Sequence, residues 1–470
     1  MTSMPQQIPI DTINKKPGPE VDHLDDAASK HVFESGFSAA EEKKILRRID
    51  FRLLPILGIM YSISLVDRTN LGLALVAGMA EDLELTVGNR YTILVMIFFL
   101  AYMLFEIPSN LVLPRAGAAN WLTFLGISFG SILIGMGFTK SWGTMALCRA
   151  LLGMTEAGFL PGCTYLITCW YKLYEVGKRL SAFWILSCIT TGFAAIFAYV
   201  LSLLKGTAGL NGWSWIFIIE GIITVVVCAC GWFIIIDFPT KADNFLTPEE
   251  KAFVIGRINE DRGDAEEDPI TLSVILHHLK DWKLYVWAFN LTVSTLPGYA
   301  YSYFLPVILK NGMGFSSTQS QLLSAPPYIL AAIIAYTSGW LGDRFHIRGP
   351  IIAVHQLLTA SGMLITVFAK GNATRYFGAF LANNITRRSK RAVATAICLI
   401  GGGLGGIVSG VAFKSSESPR YETGIWTTLA FSIVSVGLIS IMSLHFYRCN
   451  SAARAGKRRN EGMAEWYYTY

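Results

Sequence analysis

Apolar residues gather along this chain in stretches of about 20, each long enough to cross roughly 30 Å of hydrocarbon as a helix, and short polar segments separate them. A basic amphipathic lead, EEKKILRRIDFR (Glu41–Arg52), runs into the first stretch, Leu53–Val76. Five more follow near Tyr91–Leu113, Trp121–Thr139, Trp142–Trp170, Leu180–Leu204 and Trp213–Ile236. Residues 238–282 then turn strongly polar, and TPEEKAFVIGRI reads as a short helix with Thr247 as N-cap and Glu250 closing a capping box. Apolar runs resume near Lys283–Leu309, Gln319–Leu341, Gly349–Ala369, Arg391–Phe413 and Gly424–Tyr447. The pattern predicts an all-α integral membrane protein of two six-helix halves. Its parts are a tail over 1–49, a first half over 50–237, a cytoplasmic linker over 238–282, a second half over 283–448 and a tail over 449–470.

The tenth span is short. Between the ninth run and RRSKR (Arg387–Arg391) only Tyr376–Ala382 leans apolar, and seven helical residues rise about 10 Å. Basic loops belong inside, so a full crossing is needed between Asn372–Arg375 and Arg387. Either the stub recruits polar flanks into an imperfect helix or a segment has been lost from the coding sequence; the second is the reading preferred here.

Composition narrows the class. The chain has 470 residues, 53% hydrophobic and 15% charged, against about 25% charged in soluble domains. The net charge of +6 is scattered over loops between spans, as the positive-inside rule expects, which argues against nucleic acid. The segment ahead of Arg47 has no apolar core of the kind a signal peptide carries. Most cysteines, among them Cys148, Cys163, Cys228 and Cys230, fall within spans, which speaks against a disulfide framework; Cys449 reads as a free thiol rather than an acylated one. No metal, nucleotide or nucleophile constellation is present. GGGLGG (Gly401–Gly406) lies inside a span without a preceding strand, so helix packing explains it better than a phosphate loop. GFLPG (Gly158–Gly162) also reads as a close helix contact.

The chemistry lies in charges placed where hydrocarbon should exclude them. Arg149 and Glu156 in RALLGMTEAGFLPG are two turns apart, on one helix face and about 10 Å from each other. SLVDRTNLG in the first span adds Asp67 and Arg68, with Asn70 beside them. At about 2.5–3.5 kcal/mol per charge, four unpaired charges would cost roughly 10 kcal/mol, comparable with a whole domain's stability. They must therefore pair or face a cavity. A carboxylate beside an arginine changes its need for a proton when the arginine takes another anion, which is a coupling device; a structural ion-pair cluster is the competing reading. Glu106 either lines a cavity or packs helices, Glu220 reads as fixing the sixth helix, and His355 as a packing residue. In PGYAYSYFLP, Tyr299, Tyr301 and Tyr303 alternate at i+2 and cannot share one face; Pro297 and Gly298 offer a kink that turns one or two of them inward, with lipid-interface aromatics as the alternative. GWLGDRFHIRGP (Gly339–Pro350) holds Asp343, Arg344 and Arg348 for a latch at the cytoplasmic surface, and the matching VLPRAGAAN in the first half keeps only Arg115. Asn372 in NAT is a glycosylation acceptor on the outer side, and Asn290 in NLT lies within a span.

GWLGDRFHIRGP matches a pattern between spans of major facilitator transporters. With DRTN, FFLAYMLFEIPSNLVLPR, CRALLGMTEAGFLPGCTYLITCWY, GWSWIFIIEG and GFSSTQSQLLSAPPY in order, the chain resembles the anion:cation symporter family of the major facilitator superfamily, in the branch of fungal allantoate and nicotinate permeases. The resemblance runs from about Ser38 to Arg448 and lapses at the tenth span. It implies proton-coupled symport of a small organic carboxylate by alternating access, in a monomer without cofactor, in the plasma membrane or the vacuolar one. It also implies that Asp67 and Glu156 bind protons, that Arg68 meets the substrate carboxylate, and that Arg149 holds the two acids until they are protonated. Asn70, Tyr299 and Tyr303 complete the expected substrate site, and Asp343, Arg344 and Arg348 the gate. Metabolite export and anion sensing without transport are the alternatives, and the short tail after the last span argues against the second.

Overall fold

The computed structural model describes residues 37–262, 282–345, 349–382, 392–414, 417–418 and 420–455, and every regular element among them is helical. The first half comprises α1 (Ala39–Ala74), α2 (Arg90–Ala116), α3 (Ala118–Met136), α4 (Trp142–Glu156), α5 (Phe159–Trp170), α6 (Leu173–Ser202) and α7 (Gly212–Ile234). The linker contributes α8 (Pro248–Arg262). The second half comprises α9 (Trp282–Val307), α10 (Ser317–Leu322), α11 (Ala325–Phe345), α12 (Gly349–Phe368), α13 (Asn372–Ala382), α14 (Ala392–Ala412) and α15 (Glu422–Arg454). Among the described residues, six helices are both long and apolar enough to cross a membrane.

Local chemistry sets the boundaries. A capping box opens α1, where the Ser38 amide donates to the Glu41 carboxylate at 2.7 Å. The same device opens α8 as expected: the Glu250 amide donates to Thr247 Oγ1 at 3.2 Å and the Thr247 amide to Glu250 Oε2 at 3.1 Å. The basic lead and the first span form one unbroken helix, ending in a single turn of π-helix over Leu75–Met79.

The fourth span is two helices where the sequence predicts one. The break at Ala157–Gly158 lies four residues before Pro161, whose ring clashes with the carbonyl four back and which donates no hydrogen bond to it. Gly158 lies against the Ser109 side chain of α2, and a Cβ at Gly162 would come within 2.8 Å of Leu122, so this stretch packs closely as expected.

At the tenth position, α13 is longer than the seven apolar residues suggested. It starts at Asn372 and takes in the polar flank, giving 11 residues and about 16 Å of rise. Arg375 satisfies two carbonyls, Gly312 at 2.6 Å and Thr366 at 2.8 Å, and Tyr376 donates to the Leu323 carbonyl at 2.8 Å. Residues 383–391, with RRSKR, lie outside the described residues.

Close backbone contacts build each half. A Cβ on Gly221 of α7 would lie 2.7 Å from the Gly130 carbonyl of α3. In the second half Thr292 of α9 donates to the Gly401 carbonyl of α14 at 2.7 Å, so the glycine run serves packing. His355 Nε2 lies 2.9 Å from Ser338 Oγ, tying α12 to α11. The halves meet along α1 with α9, α2 with α14, and α6 with α11. At the ends that the charge pattern places outside, Tyr91 donates to the Tyr303 carbonyl at 2.8 Å, Lys310 to Val76 at 3.2 Å and Gln321 to Leu73 at 3.3 Å.

On the opposite side, Asp237 caps the start of α3 with 2.8 Å bonds from the Ala118 and Phe238 amides. The degenerate VLPRAGAAN junction is thus held by a carboxylate from beyond α7. Of the predicted latch, Asp343 and Arg344 fall in the last turn of α11, and Arg348 lies outside the described residues.

Candidate functional site

The intramembrane charges singled out in the sequence converge on one place between the halves. Asp67 is 0% exposed, Arg68 6%, Asn70 2%, Arg149 0% and Glu156 1%. Arg68 is the hub. Its Nη1 donates to the Tyr299 hydroxyl at 2.8 Å, and its Nη2 lies 3.5 Å from Glu156 Oε2. Ser64, one turn before Arg68, donates to the same Glu156 oxygen at 3.1 Å.

Aromatic rings surround the guanidinium. The Arg68 carbon lies 5.4 Å from the centre of Phe98, 5.3 Å from Tyr102 and 5.7 Å from Tyr299, distances at which a ring face attracts a cation. Arg68 Nε has no hydrogen-bond partner. Nε and Nη2 form the edge of a guanidinium that grips a carboxylate bidentately, so one half of that edge is free and the other leans on Glu156.

A cleft opens beside this group, lined by Arg68, Phe99, Tyr102, Leu160, Tyr299 and the Gly402–Gly403 backbone, among others, with about 340 Å³ of empty space including its mouth. Most of that space belongs to the mouth; the enclosed part, about 20 Å³, holds about one water and is smaller than an organic carboxylate requires in this state.

Arg149 is placed differently from Arg68. Its guanidinium stacks 4.5 Å from the Phe98 ring centre, donates to the Leu94 carbonyl at 3.4 Å and reaches the Tyr303 hydroxyl at 3.5 Å. In this state Glu156 pairs with Arg68 rather than with Arg149.

The tyrosine triplet is resolved by simple helical spacing, without a break in α9. Tyr299 and Tyr303, at i and i+4, share the face toward Arg68 and Arg149. Tyr301 points away, its hydroxyl 3.1 Å from that of Thr366. Asn70 is buried with Oδ1 unpartnered.

Three features escaped the sequence reading. Phe98 and Tyr102 form ring walls; with Glu106 they follow i+4 spacing along α2, a face visible in FFLAYMLFE but not separable from ordinary packing. From α14 the cleft takes the Gly402 and Gly403 backbone rather than a larger side chain. Glu220, read as a packing residue, is buried beside Asp67, and the rule that raised Asp67 and Glu156 applied to it equally. His, Cys, Asp and Glu form no metal-binding group among the described residues.

Comparison with known proteins gives one consistent match. The sequence fits the model of the Major Facilitator Superfamily over residues 57–442. It is 29% identical over 479 residues to the MFS-type transporter cnsO of Penicillium expansum, covering 95% of this chain and 92% of that protein. It is 28% identical over 433 residues to the high-affinity nicotinic acid transporter of Saccharomyces cerevisiae, covering 88% and 80%. The xylose transporter XylE from E. coli, in a partially occluded inward-open conformation, superposes with a TM-score of 0.62 at 10% identity over 82% of this chain and 97% of that one. A bacterial homologue of the human lysosomal transporter Spinster, inward-facing and occupied, gives 0.60 at 16% identity over 84% and 97%. At these identities the two structures speak to the fold alone.

Proposed function

The chain belongs to the Major Facilitator Superfamily and is a multi-pass membrane transporter, and we propose that it carries a small organic carboxylate into the cell together with protons. The observation that carries this reading is the half-used Nε–Nη2 edge of Arg68, a residue that lines the cleft: Nε is buried without a partner and Nη2 lies 3.5 Å from Glu156. A carboxylate arriving there takes both nitrogens bidentately. Glu156 then loses its cation and accepts a proton, keeping the buried charge balanced. When the substrate leaves, Arg68 returns to Glu156 and the proton is released. Tyr299 keeps its bond to Nη1 throughout and holds the guanidinium plane in orientation. Asp67 and Arg149 complete the balance, and Asn70 and Tyr303 border the path.

Alternating access is supported by the way the halves meet. The tyrosine, lysine and glutamine bonds close the outer ends, as expected of a state closed to the outside. The nicotinic acid transporter among the relatives makes nicotinate the first compound to try, and the plasma membrane is the proposed location.

Uptake of labelled nicotinate and a panel of other small carboxylates, at acid and neutral external pH, tests the proposal. Acid-stimulated uptake is expected from the unaltered chain. Glu156→Gln is expected to lose accumulation driven by a pH gradient while still exchanging substrate across the membrane. Uptake indifferent to pH in the unaltered chain overturns the proton coupling.

A further inference from the structure

The site holds more acid than its arginines can balance. Asp67, Glu106, Glu156 and Glu220 are all buried, at 0%, 2%, 1% and 5% exposure, against only Arg68 and Arg149. Four carboxyls less two guanidiniums leaves an excess of two, so a neutral core holds two protons. Glu106 interacts with Arg68 and Tyr102. The other three acids form a row. Glu220 on α7 is within hydrogen-bond reach of Asp67 on α1, and Asp67 is in turn within reach of Glu156 at the end of α4.

No protein donor serves Glu220 or Asp67. Both oxygens of Asp67 and both of Glu220 lack a hydrogen-bond partner, as does Glu156 Oε1. Two ionised carboxylates side by side without a donor would suffer both desolvation and mutual repulsion. One proton placed between them removes the repulsion and gives each acid a partner. Among the described residues, the helices packed here leave no alternative cation. Ala118–Met136 of α3 holds no charged residue, nor does Leu75–Met79, and α6 has none between Arg179 and Ser202. From α1 and α4 the charged groups near this point are Asp67, Arg68, Glu156 and Arg149, and Arg68 is engaged by Glu156 and Tyr299. Glu220 is held in place by the tight α3–α7 contact at its neighbour Gly221, so the pairing with Asp67 is built into the fold.

We infer that Glu220 and Asp67 share one proton as an acid pair, and that this pair, rather than Asp67 alone, feeds Glu156 during coupling. The bond is O–H···O between the two carboxyls. When Glu156 is released by Arg68, the shared proton passes through Asp67 to Glu156, leaving both members of the pair ionised until Glu220 takes up the next proton and restores the bond. This inference rests on the proton-coupled reading above and extends it to the sixth span.

Infrared difference spectroscopy between acid and neutral pH, on the purified chain in liposomes, reads protonated carboxyls without needing a substrate. In Glu220→Gln a protonated-carboxyl band is expected to vanish and the Asp67 band to shift, Asp67→Asn identifying the latter. Glu220→Asp is expected to restore a shared band. If Glu220→Gln leaves every titrating carboxyl band of the unaltered chain in place, the pair does not exist. Should that variant fail to fold, Asp67→Asn decides: an unmoved Glu220 band overturns the inference and a shifted one supports it. Nicotinate uptake at two pH values is run in parallel. Coupled bands without acid-stimulated uptake overturn the role in transport and leave the pair standing; acid-stimulated uptake with independent bands overturns the pair alone.

Discussion

Tyr299 of the second half receives a 2.8 Å hydrogen bond from Arg68 of the first, so the arginine whose Nε is left without a partner is oriented from across the boundary between the halves. Removing the hydroxyl in Tyr299→Phe leaves the ring but frees the guanidinium to turn. A hydrogen bond to a charged group is worth about 1.5–3 kcal/mol, which puts the effect between roughly ten- and 150-fold in apparent affinity. Weaker substrate binding with an unchanged pH profile is expected in transport assays. Tyr303→Phe, whose bond to Arg149 is 3.5 Å long, is expected to cost much less. A larger effect at Tyr303 contradicts the assignment.

The α3–α7 contact predicts a contrast between two glycine substitutions. A methyl on Gly221 meets the Gly130 carbonyl at 2.7 Å and the Ile134 amide at 2.8 Å, whereas one on Gly135 meets nothing within 4 Å. Gly221→Ala is expected to destabilise by about 1–3 kcal/mol through overpacking. Gly135→Ala is expected to be neutral or to gain up to about 1 kcal/mol of helix propensity. Thermal melts in detergent compare the two directly.

In the linker, Arg257 of α8 is buried, and its Nε lies 2.5 Å from Glu42 of α1. It also pairs with Glu175 at the start of α6. Arg257→Ala is expected to loosen the linker helix by about 1–2 kcal/mol, the lower part of the range for charged hydrogen bonds, because both acids retain access to water. Limited proteolysis within 248–262 follows this: faster cleavage is expected for Ala and an intermediate rate for Lys. Equal rates for all three deny the linker this anchor.

Acid should loosen the same helix. Burial pushes the Glu250 carboxyl up, but the Thr247 amide and the Arg48 guanidinium, 2.6 Å away, outweigh it and hold the group below its ordinary 4.5. A lowered folded value contributes stability above the ordinary value and loses it as the pH falls through the folded one. Hydrogen exchange in α8 is therefore expected to be flat near neutrality and to show weakened protection below about pH 4.5, beyond the intrinsic pH trend. Glu250→Gln is expected to remove that step.

Asn372 is exposed at the start of α13, its amide donating to the Met313 carbonyl at 2.7 Å. Expressed in a eukaryotic host, the chain is expected to lose apparent mass on treatment with an N-glycosidase, and Asn372→Gln to lose that shift. Asn290, by contrast, is buried and donates to the Val286 carbonyl.

The arrangement of spans was legible because hydrocarbon imposes a length and an apolar composition on each. The buried charges were legible for the same reason, since Asp67, Arg68, Arg149 and Glu156 violate that composition. Their pairing was not. Helical spacing places Arg149 and Glu156 on one face, but only packing between α1 and α4 shows that Arg68 takes the glutamate. The fourth-span break was open to view in Pro161, and the sharing of one face by Tyr299 and Tyr303 in their i+4 spacing. Glu220 shows the limit: a lone acid in a span looks alike whether it fixes a helix or meets a second acid from another one.

Among the described residues, the acids and arginines buried at the site all belong to the first half, while the second half meets them with tyrosine rings and bare glycine backbone. With the two protons its acids hold beyond what the arginines balance, that site is neutral, and turning it from one side of the membrane to the other moves little net charge. The electrical work of a cycle then lies in the cargo, at about 2.3 kcal/mol per elementary charge for each 100 mV crossed, and the empty protein can return to its starting side almost regardless of voltage.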